Sequence, residues 1–253
     1  MTTRITTTSE DITMSTYDDE GLLAEVCSRA LENTGSARPV IGIAGSVAVG
    51  KSSMAARLAD AMHERGLRAE IVGTDGFLFP NATLRERGLF LRKGFPESYD
   101  EVRLAAFVRT ARSAARTAEI PAYSHGLFDI DGLRTADLGD VVIVEGVNAL
   151  QPSIARELSH RCYLEAQEAV VYGWFAERFA GLIGEAEADE RSFYRQFVPL
   201  GPEQRADFIM QVWDGINAVN LHEHIVPTRS SADTIIHMRA DHMIERIEHQ
   251  EQP

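Results

Sequence analysis

Val40-Ile41-Gly42-Ile43-Ala44-Gly45-Ser46-Val47-Ala48-Val49-Gly50-Lys51-Ser52-Ser53 is the stretch that decides the fold. Pro39 to Ala44 is a short apolar run, the pattern of a buried strand. Gly45 to Ser52 matches G-x-x-x-x-G-K-[ST]. From about Ser52 to Arg65 the apolar residues recur at helical spacing. Strand, glycine-bounded loop and helix in that order make a phosphate loop. The glycines let the backbone wrap closely around phosphates, and the N–H groups of Ser46, Val47, Ala48 and Val49 turn inward as an anion nest. The helix adds its positive N-terminal end. Lys51 reaches the β- and γ-phosphates, and the Ser52 hydroxyl ligates magnesium, so ATP and Mg2+ are the implied cofactors. Ser53 either contacts a phosphate or caps the helix, and both readings stay open.

Working outward, a second strand at Ala69 to Gly73 ends in Thr74-Asp75, and Val141 to Val144 is a continuous apolar run typical of a central parallel strand. Further strands are expected at 120–123, 161–164 and 233–237. Helices are expected at 99–116, 167–184, 189–198 and 203–222, with a final helix at 240–250. Before the phosphate loop, Leu22, Leu23, Val26, Ala30 and Leu31 form a helical stripe that Ser15 or Thr16 would cap and Gly35 would end. Residues 1–15 read as a mobile tail and 16–253 as a single domain. The fold class is α/β: a three-layer P-loop NTPase fold, its mostly parallel central sheet flanked by helices.

Composition fits that class. The chain has 253 residues, 44% of them apolar, enough for one substantial core. A formal charge of −13 repels phosphate backbones and argues against a nucleic-acid partner. The 25 basic residues include only two lysines, Lys51 and Lys93. Cys27 and Cys162 have neither disulfide-scaffold nor zinc spacing and are expected to pack in the core. No apolar run approaches the roughly 20 residues that span a bilayer, and the Thr-rich start lacks the apolar middle of a signal peptide. A cytoplasmic protein without a membrane partner is expected.

Ligands of parallel α/β sheets sit at the carboxyl ends of strands. Asp75 stands at one such end, where it could accept a hydroxyl proton beside the γ-phosphate. Asp75-Gly76 is also a common turn dipeptide, so a turn or cap role stays open. Glu145, directly after the Val141 to Val144 run, is either an acid near the metal or a solvated turn residue. His125, after Tyr123-Ser124, is a packing, surface or catalytic histidine. Arg178, beside Trp174, Phe175 and Phe179, either reaches over the phosphates or lies on the surface.

Several ordered blocks carry a resemblance. Gly45 to Ser53 reads GSVAVGKSS, Thr74 to Asn81 reads TDGFLFPN, and Gly94 to Asp100 reads GFPESYD. Ala122 to His125 reads AYSH, and Glu145 to Gln151 reads EGVNALQ. Ile216 to Leu221 and Ile225 to Arg229 add two shorter matches. Over about residues 40–245 the chain resembles bacterial type I pantothenate kinase, in the kinase group with uridine kinase and phosphoribulokinase. The resemblance implies ATP-dependent phosphorylation of the hydroxyl of pantothenate, the first step of coenzyme A biosynthesis. It implies that Asp75 is the general base and that Lys51, Ser52 and Arg178 hold phosphates and metal. Tyr123, His125 and Asn220 would hydrogen-bond pantothenate, and the His242 ring would lie against adenine. It also implies a homodimer and inhibition by coenzyme A. Three departures bear on the acceptor. Fewer residues precede the first strand than is usual in the family. Phe175 stands where the family has a substrate-contacting tyrosine. Leu182 and Glu187 stand where aromatic rings are expected. A paralogous kinase acting on another small hydroxylated metabolite or a nucleoside is the rival enzyme. A non-catalytic ATP or coenzyme A sensor is the non-enzyme rival, although it would need no base at 75.

Overall fold

The computed structural model describes residues 19–32 and 37–250. The expected tail, the capping Ser15 and Thr16, and Gly35 lie outside them. Helix α1 (Asp19–Glu32) buries the expected stripe, Leu22, Leu23, Val26 and Ala30, together with Cys27. Strand β1 (Val40–Gly45) is buried along its whole length and feeds α2 (Lys51–Glu64) through the phosphate loop. Then follow β2 (Ala69–Gly73), the short α3 (Asn81–Glu86) and α4 (Glu101–Arg112). Next are β3 (Thr117–Ser124), β4 (Asp129–Asp137), β5 (Val141–Glu145), the single turn α5 (Pro152–Ala155) and β6 (His160–Glu165). The chain then runs through α6 (Glu168–Glu185), α7 (Pro202–Val212), β7 (Thr234–Met238) and β8 (Ile244–His249).

Six strands form one sheet in the order β2-β5-β1-β6-β7-β8. The first five run parallel, and β8 closes the edge antiparallel to β7. Alternation along the strands divides the core between the two faces. Val40, Val72, Val142 and Val144 face Leu104, Phe107 and Val108 of α4. Ile41, Ile43, Val141 and Ile143 face α1, α2 and α6 on the other side, where the free thiols Cys27 and Cys162 are also buried. Helix, sheet and helix form the three expected layers. Among the described residues, no helix is long and apolar enough to cross a membrane.

Three expectations are corrected, and one, the strand at 120–123, is present with its place now given. The final helix at 240–250 is instead a turn followed by β8. Ile244 and Ile247 are three apart, a helical spacing, yet both pack on the same core face. A bulge explains this: the register moves from His237↔Arg246 to Met238↔Ile244, so Glu245 is skipped and the two isoleucines come into phase. Second, the strand near 120–123 lies outside the main sheet. It is part of β3, which pairs only with β4 in a separate antiparallel ribbon. Third, 189–198 holds a short 3-10 turn at Phe193–Phe197, not a full helix. The expected 203–222 helix is α7 followed by two wider π-type turns, Trp213–Asn217 and Leu221–Ile225, and the latter often mark functional sites. Fourth, the helix expected from Tyr99 begins at Glu101. Asp100 is its N-cap and accepts from the Arg103 N–H at 3.0 Å, which leaves Tyr99 outside the helix and free to turn elsewhere.

Candidate active site

The carboxyl ends of β1, β2 and β5 converge. Glu145 at the end of β5 is in register with Ile43 of β1 and with Gly73 of β2. The phosphate loop leaves β1 here, and its glycines answer to close packing. A Cβ on Gly45 (φ +146°) would come within 2.5 Å of the Leu164 carbonyl oxygen. Lys51 is only 9% exposed, and its Nζ donates to the Ser46 carbonyl at 2.7 Å, spanning the loop. Burial pushes the ammonium down to about 8, with Glu145 and Asp75 pulling the other way. The Ser52 hydroxyl donates to Glu145 Oε1 at 2.9 Å. Gly50 occupies the N-cap of α2, so Ser53 is not the cap; it lies in the first turn and lines the cleft.

Asp75 sits in the turn Thr74–Phe77 that follows β2. Its carboxylate caps no helix end; it accepts a hydrogen bond from the buried Tyr99 hydroxyl at 2.9 Å. Two close contacts fix this turn. A Cβ on Gly146 (φ +154°), just past β5, would fall 1.7 Å from Thr74 Oγ1, and one on Gly76 would fall 2.7 Å from the Pro121 carbonyl of β3. The β3–β4 ribbon therefore lies across the Asp75 turn and carries Tyr123 and His125 over it.

The cleft has two lobes. One, of about 750 Å3, runs along Gly50, Ser53, Arg57, Trp174, Glu177 and His242. His242 is in the β7–β8 turn, and its ring stacks on Trp174 with centroids 4.1 Å apart and planes 22° off parallel. The other lobe, of about 820 Å3, contains Asp75, Lys93, Tyr123, Phe175 and Asn220. The lobes share Ala48, Lys51, Ser52, His125 and Arg178. An anion lying along the phosphate loop from the first lobe would thus point its end at Asp75 in the second. Arg178, on α6, is the guanidinium at that junction. Burial holds the His125 imidazole below its ordinary value, with Asp75 pulling it up and Arg178 down. Its ring meets Tyr123 edge-on at 5.1 Å. Burial and the nearby Asp75 charge push the Tyr123 phenol far up, so it is a donor throughout the accessible range. Asn220 is 6% exposed; its Nδ2 donates to the Gly94 carbonyl at 3.0 Å, and its buried Oδ1 has no partner among the described residues.

All the residues expected at the site line one lobe or the other or the loop between them. The second lobe differs from expectation in its wall. Leu182 lines it, but Glu187 is exposed outside. Phe179, Phe193, Tyr194 and Phe197, the aromatics that the sequence keeps there, line it, and Phe90, Phe128 and Phe208, which local sequence did not suggest, complete an aromatic wall. Phe175 is 6% exposed and wedged between Phe179 and Trp213 at 5.7 and 5.6 Å. Three further residues escaped the sequence reading. Trp174 is the shelf under His242. Tyr99 holds Asp75. Lys93 donates to Asn81 Oδ1 at 2.7 Å and to the Phe128 carbonyl, and lies 4.0 Å from the Phe128 ring centroid. Burial lowers Lys93 to about 8, against the opposing charges of Asp129 and Asp75. The scarcity of lysine was the one signal that could have singled it out.

Comparison with known proteins gives the site a family. A pantothenate kinase from Listeria welshimeri is 39% identical over 218 residues, covering 82% of this chain and 71% of the relative. One from Streptococcus mutans is 39% identical over 229 residues, covering 86% and 74%. The chain belongs to the pantothenate kinase family. No family model matches it. Among solved structures, a putative fructose transport system kinase from Silicibacter superposes with a TM-score of 0.66 at 21% identity, covering 83% of this chain and 95% of that one. A possible uridine kinase from Bacillus stearothermophilus gives 0.51 at 20% identity, covering 68% and 96%. Those likenesses place this pantothenate kinase family member in the P-loop kinase fold. Its two-lobed cleft is in keeping with a kinase that joins a nucleotide to a small acceptor.

Proposed function

We infer that the protein phosphorylates the primary hydroxyl of pantothenate with ATP. The observation that carries this reading is the junction of the lobes, where Lys51, Ser52, His125 and Arg178 border both sides and Asp75 faces the acceptor side. The adenine ring would lie by the Trp174–His242 stack and the phosphates along Gly45 to Ser53. Asp75 would take the acceptor's hydroxyl proton as the oxygen attacks the γ-phosphorus. Lys51 and Arg178 would neutralise charge on the transferring group. Tyr123, Asn220 and Lys93 would orient the acceptor. The Ser52 hydroxyl and the Glu145 carboxylate, 2.9 Å apart, are hard oxygen donors suited to magnesium and its water shell. Magnesium there would neutralise phosphate charge. Among the described residues, no cluster of three His, Cys, Asp or Glu side chains offers another metal site.

The test is ADP release measured with pantothenate, nucleosides and other small alcohols, on the wild type and Asp75→Asn. Pantothenate should be the preferred acceptor, and Asp75→Asn should bind ATP while turning over some 10²- to 10⁴-fold more slowly. Preference for another alcohol would favour the paralogue, and unchanged turnover in Asp75→Asn would remove the base. The reading extends to competition between coenzyme A and ATP and to a homodimer. Millimolar coenzyme A should raise the KM for ATP, and sedimentation should give twice the chain mass.

A further inference from the structure

Asp75 is held by a partner that nothing in the reaction's outline requires. The Tyr99 hydroxyl donates to Asp75 Oδ1 at 2.9 Å, and no other hydrogen bond reaches that carboxylate among the described residues. Tyr99 is 4% exposed and packs in the core with Phe77, Leu78 and Phe107. Its backbone is laced to the segment just past Asp75. Leu78 and Tyr99 pair as an isolated antiparallel bridge, the Phe79 N–H donates to the Ser98 carbonyl at 2.9 Å, and the Asp100 N–H donates to the Phe77 carbonyl at 2.8 Å. The ring therefore has one place to be, and its hydroxyl meets one oxygen of the carboxylate and leaves the other for the acceptor lobe.

We propose that Tyr99 is a positioning residue for phosphoryl transfer, its hydroxyl fixing the orientation of the Asp75 carboxylate toward the acceptor hydroxyl. This rests on the reading of Asp75 as the base. In the transfer, the acceptor O–H bond breaks and its proton passes to Asp75. The acceptor oxygen bonds to the γ-phosphorus as the bond to the β-phosphate oxygen breaks, and ADP leaves. Tyr99 keeps its own proton throughout. Burial and the Asp75 charge push its phenol well above the ordinary value, which leaves it a donor across any assay range. A fixed donor on one carboxylate oxygen limits rotation of the group, so removing it leaves the other oxygen less often aimed at the acceptor hydroxyl.

Other charged and titratable groups also face Asp75: Lys51 from α2, Lys93 from the loop after α3, Tyr123 on β3, His125 in the turn beyond it, and Tyr194 from the 193–197 turn. Tyr99→Phe leaves all of them in place and removes one oxygen, so the ring packing is preserved.

Steady-state kinetics test the proposal on wild type, Tyr99→Phe, Asp75→Asn and the double variant. Tyr99→Phe should lower kcat about 10- to 100-fold, as for loss of a hydrogen bond to a charged group. The Kd for ATP should stay within about twofold, since a hydroxyl in the acceptor lobe binds no nucleotide. The KM for pantothenate should change far less than kcat, and the double variant should be no slower than Asp75→Asn alone. An unchanged kcat in Tyr99→Phe, with Asp75→Asn inactive, would overturn this proposal and leave the base standing. Wild-type turnover in Asp75→Asn would overturn both. Should Tyr99→Phe not fold, 3-fluorotyrosine at position 99 keeps the shape and strengthens the donor. Its kcat should then be kept or raised, and a kcat lowered tenfold or more would equally overturn the proposal.

Discussion

Lys51→Met should yield a protein that is more stable than the wild type and inactive. Lys51 is 9% exposed, and burial moves its ammonium from the usual 10.5 to about 8. Holding the charge at pH 7 in the folded state then costs about 3 kcal/mol relative to the unfolded chain, at about 1.4 kcal/mol per pH unit. Methionine has nearly the same length and no charge. The change forfeits the hydrogen bond to Ser46, but that carbonyl also accepts from the Val49 N–H and is not left orphaned. Taking about 1 kcal/mol for the lost bond leaves a net gain near 2 kcal/mol, or about 4–8 °C in Tm for a chain of this size. The sign with pH follows from a depressed lysine. Below about 8 the full penalty is present. Between about 8 and 10.5 the unfolded chain binds the proton and the folded one does not, so the wild type gains stability with pH and the difference closes. Thermal unfolding without nucleotide, from pH 7 to 10.5, measures both. Adding ATP and magnesium at about 100 Kd should raise the wild type by about 2.7 kcal/mol and the variant by far less. A Lys51→Met protein that melts below the wild type at pH 7, or a difference that does not close above pH 8, would refute the reasoning.

Four other outcomes are expected. Ser52→Ala should shift the magnesium dependence of ADP release to roughly tenfold higher concentration, because one of two hard oxygen donors is gone. Gly146→Ala places a methyl 1.7 Å from Thr74 Oγ1 at φ +154°, and should lower stability by about 3 kcal/mol in urea unfolding while impairing turnover through the Asp75 turn. Lys93→Met should raise the KM for pantothenate about tenfold or more with the KM for ATP unchanged, read from initial rates, because Lys93 lines only the acceptor lobe. Phe175→Tyr should lower the KM for pantothenate by roughly 2- to 13-fold, as one hydrogen bond would; an unchanged KM would mean that the lobe was reshaped around the phenylalanine.

How much of this was legible beforehand depended on the range of the interactions. The phosphate loop and Val141 to Glu145 are local statements, in which a few consecutive residues fix strand, turn and donor set. Both stand where the spacing placed them. Elsewhere long-range contacts decide: Asp75, Tyr123, His125, Phe175, Arg178 and Asn220 of the second lobe were named chiefly through the family resemblance, and much of the surrounding structure was not legible. Asp129–Asp137 has no apolar run, because β4 is exposed over most of its length and is held by pairing with β3, so nothing in its composition announced a strand. Ile244 and Ile247 mimic a helix because a bulge in the partner pairing supplies the phase that a plain strand lacks. Tyr99 reads as the start of a helix until Asp100 is seen to cap it. Only then does its hydroxyl lie within reach of Asp75, 24 residues away in the chain.

The charge of the chain and the charge of its cleft have opposite signs, and that opposition bears on binding. With a formal charge of −13, the surface as a whole repels a nucleotide triphosphate. At the junction and in the second lobe, however, Lys51, Lys93, Arg134 and Arg178 line the wall with Asp75 and Glu145, four cations against two carboxylates. Both lysines of the sequence are spent here, and burial makes each a reluctant cation. A ligand that brings phosphate oxygens or a carboxylate would relieve that strain, because an opposing charge at short range in a partly dry cleft restores the ammonium form. An uncharged alcohol brings no such compensation. On the proposed reading the cleft would therefore select twice, for a polyphosphate on the loop side and for an anionic acceptor beside Lys93. Pantothenate carries a carboxylate, and an uncharged nucleoside does not. Replacing the pantothenate carboxylate by a primary amide should accordingly cost the wild type more in kcat/KM than it costs Lys93→Met. Equal losses in the two proteins would show that Lys93 does not read the acceptor's charge.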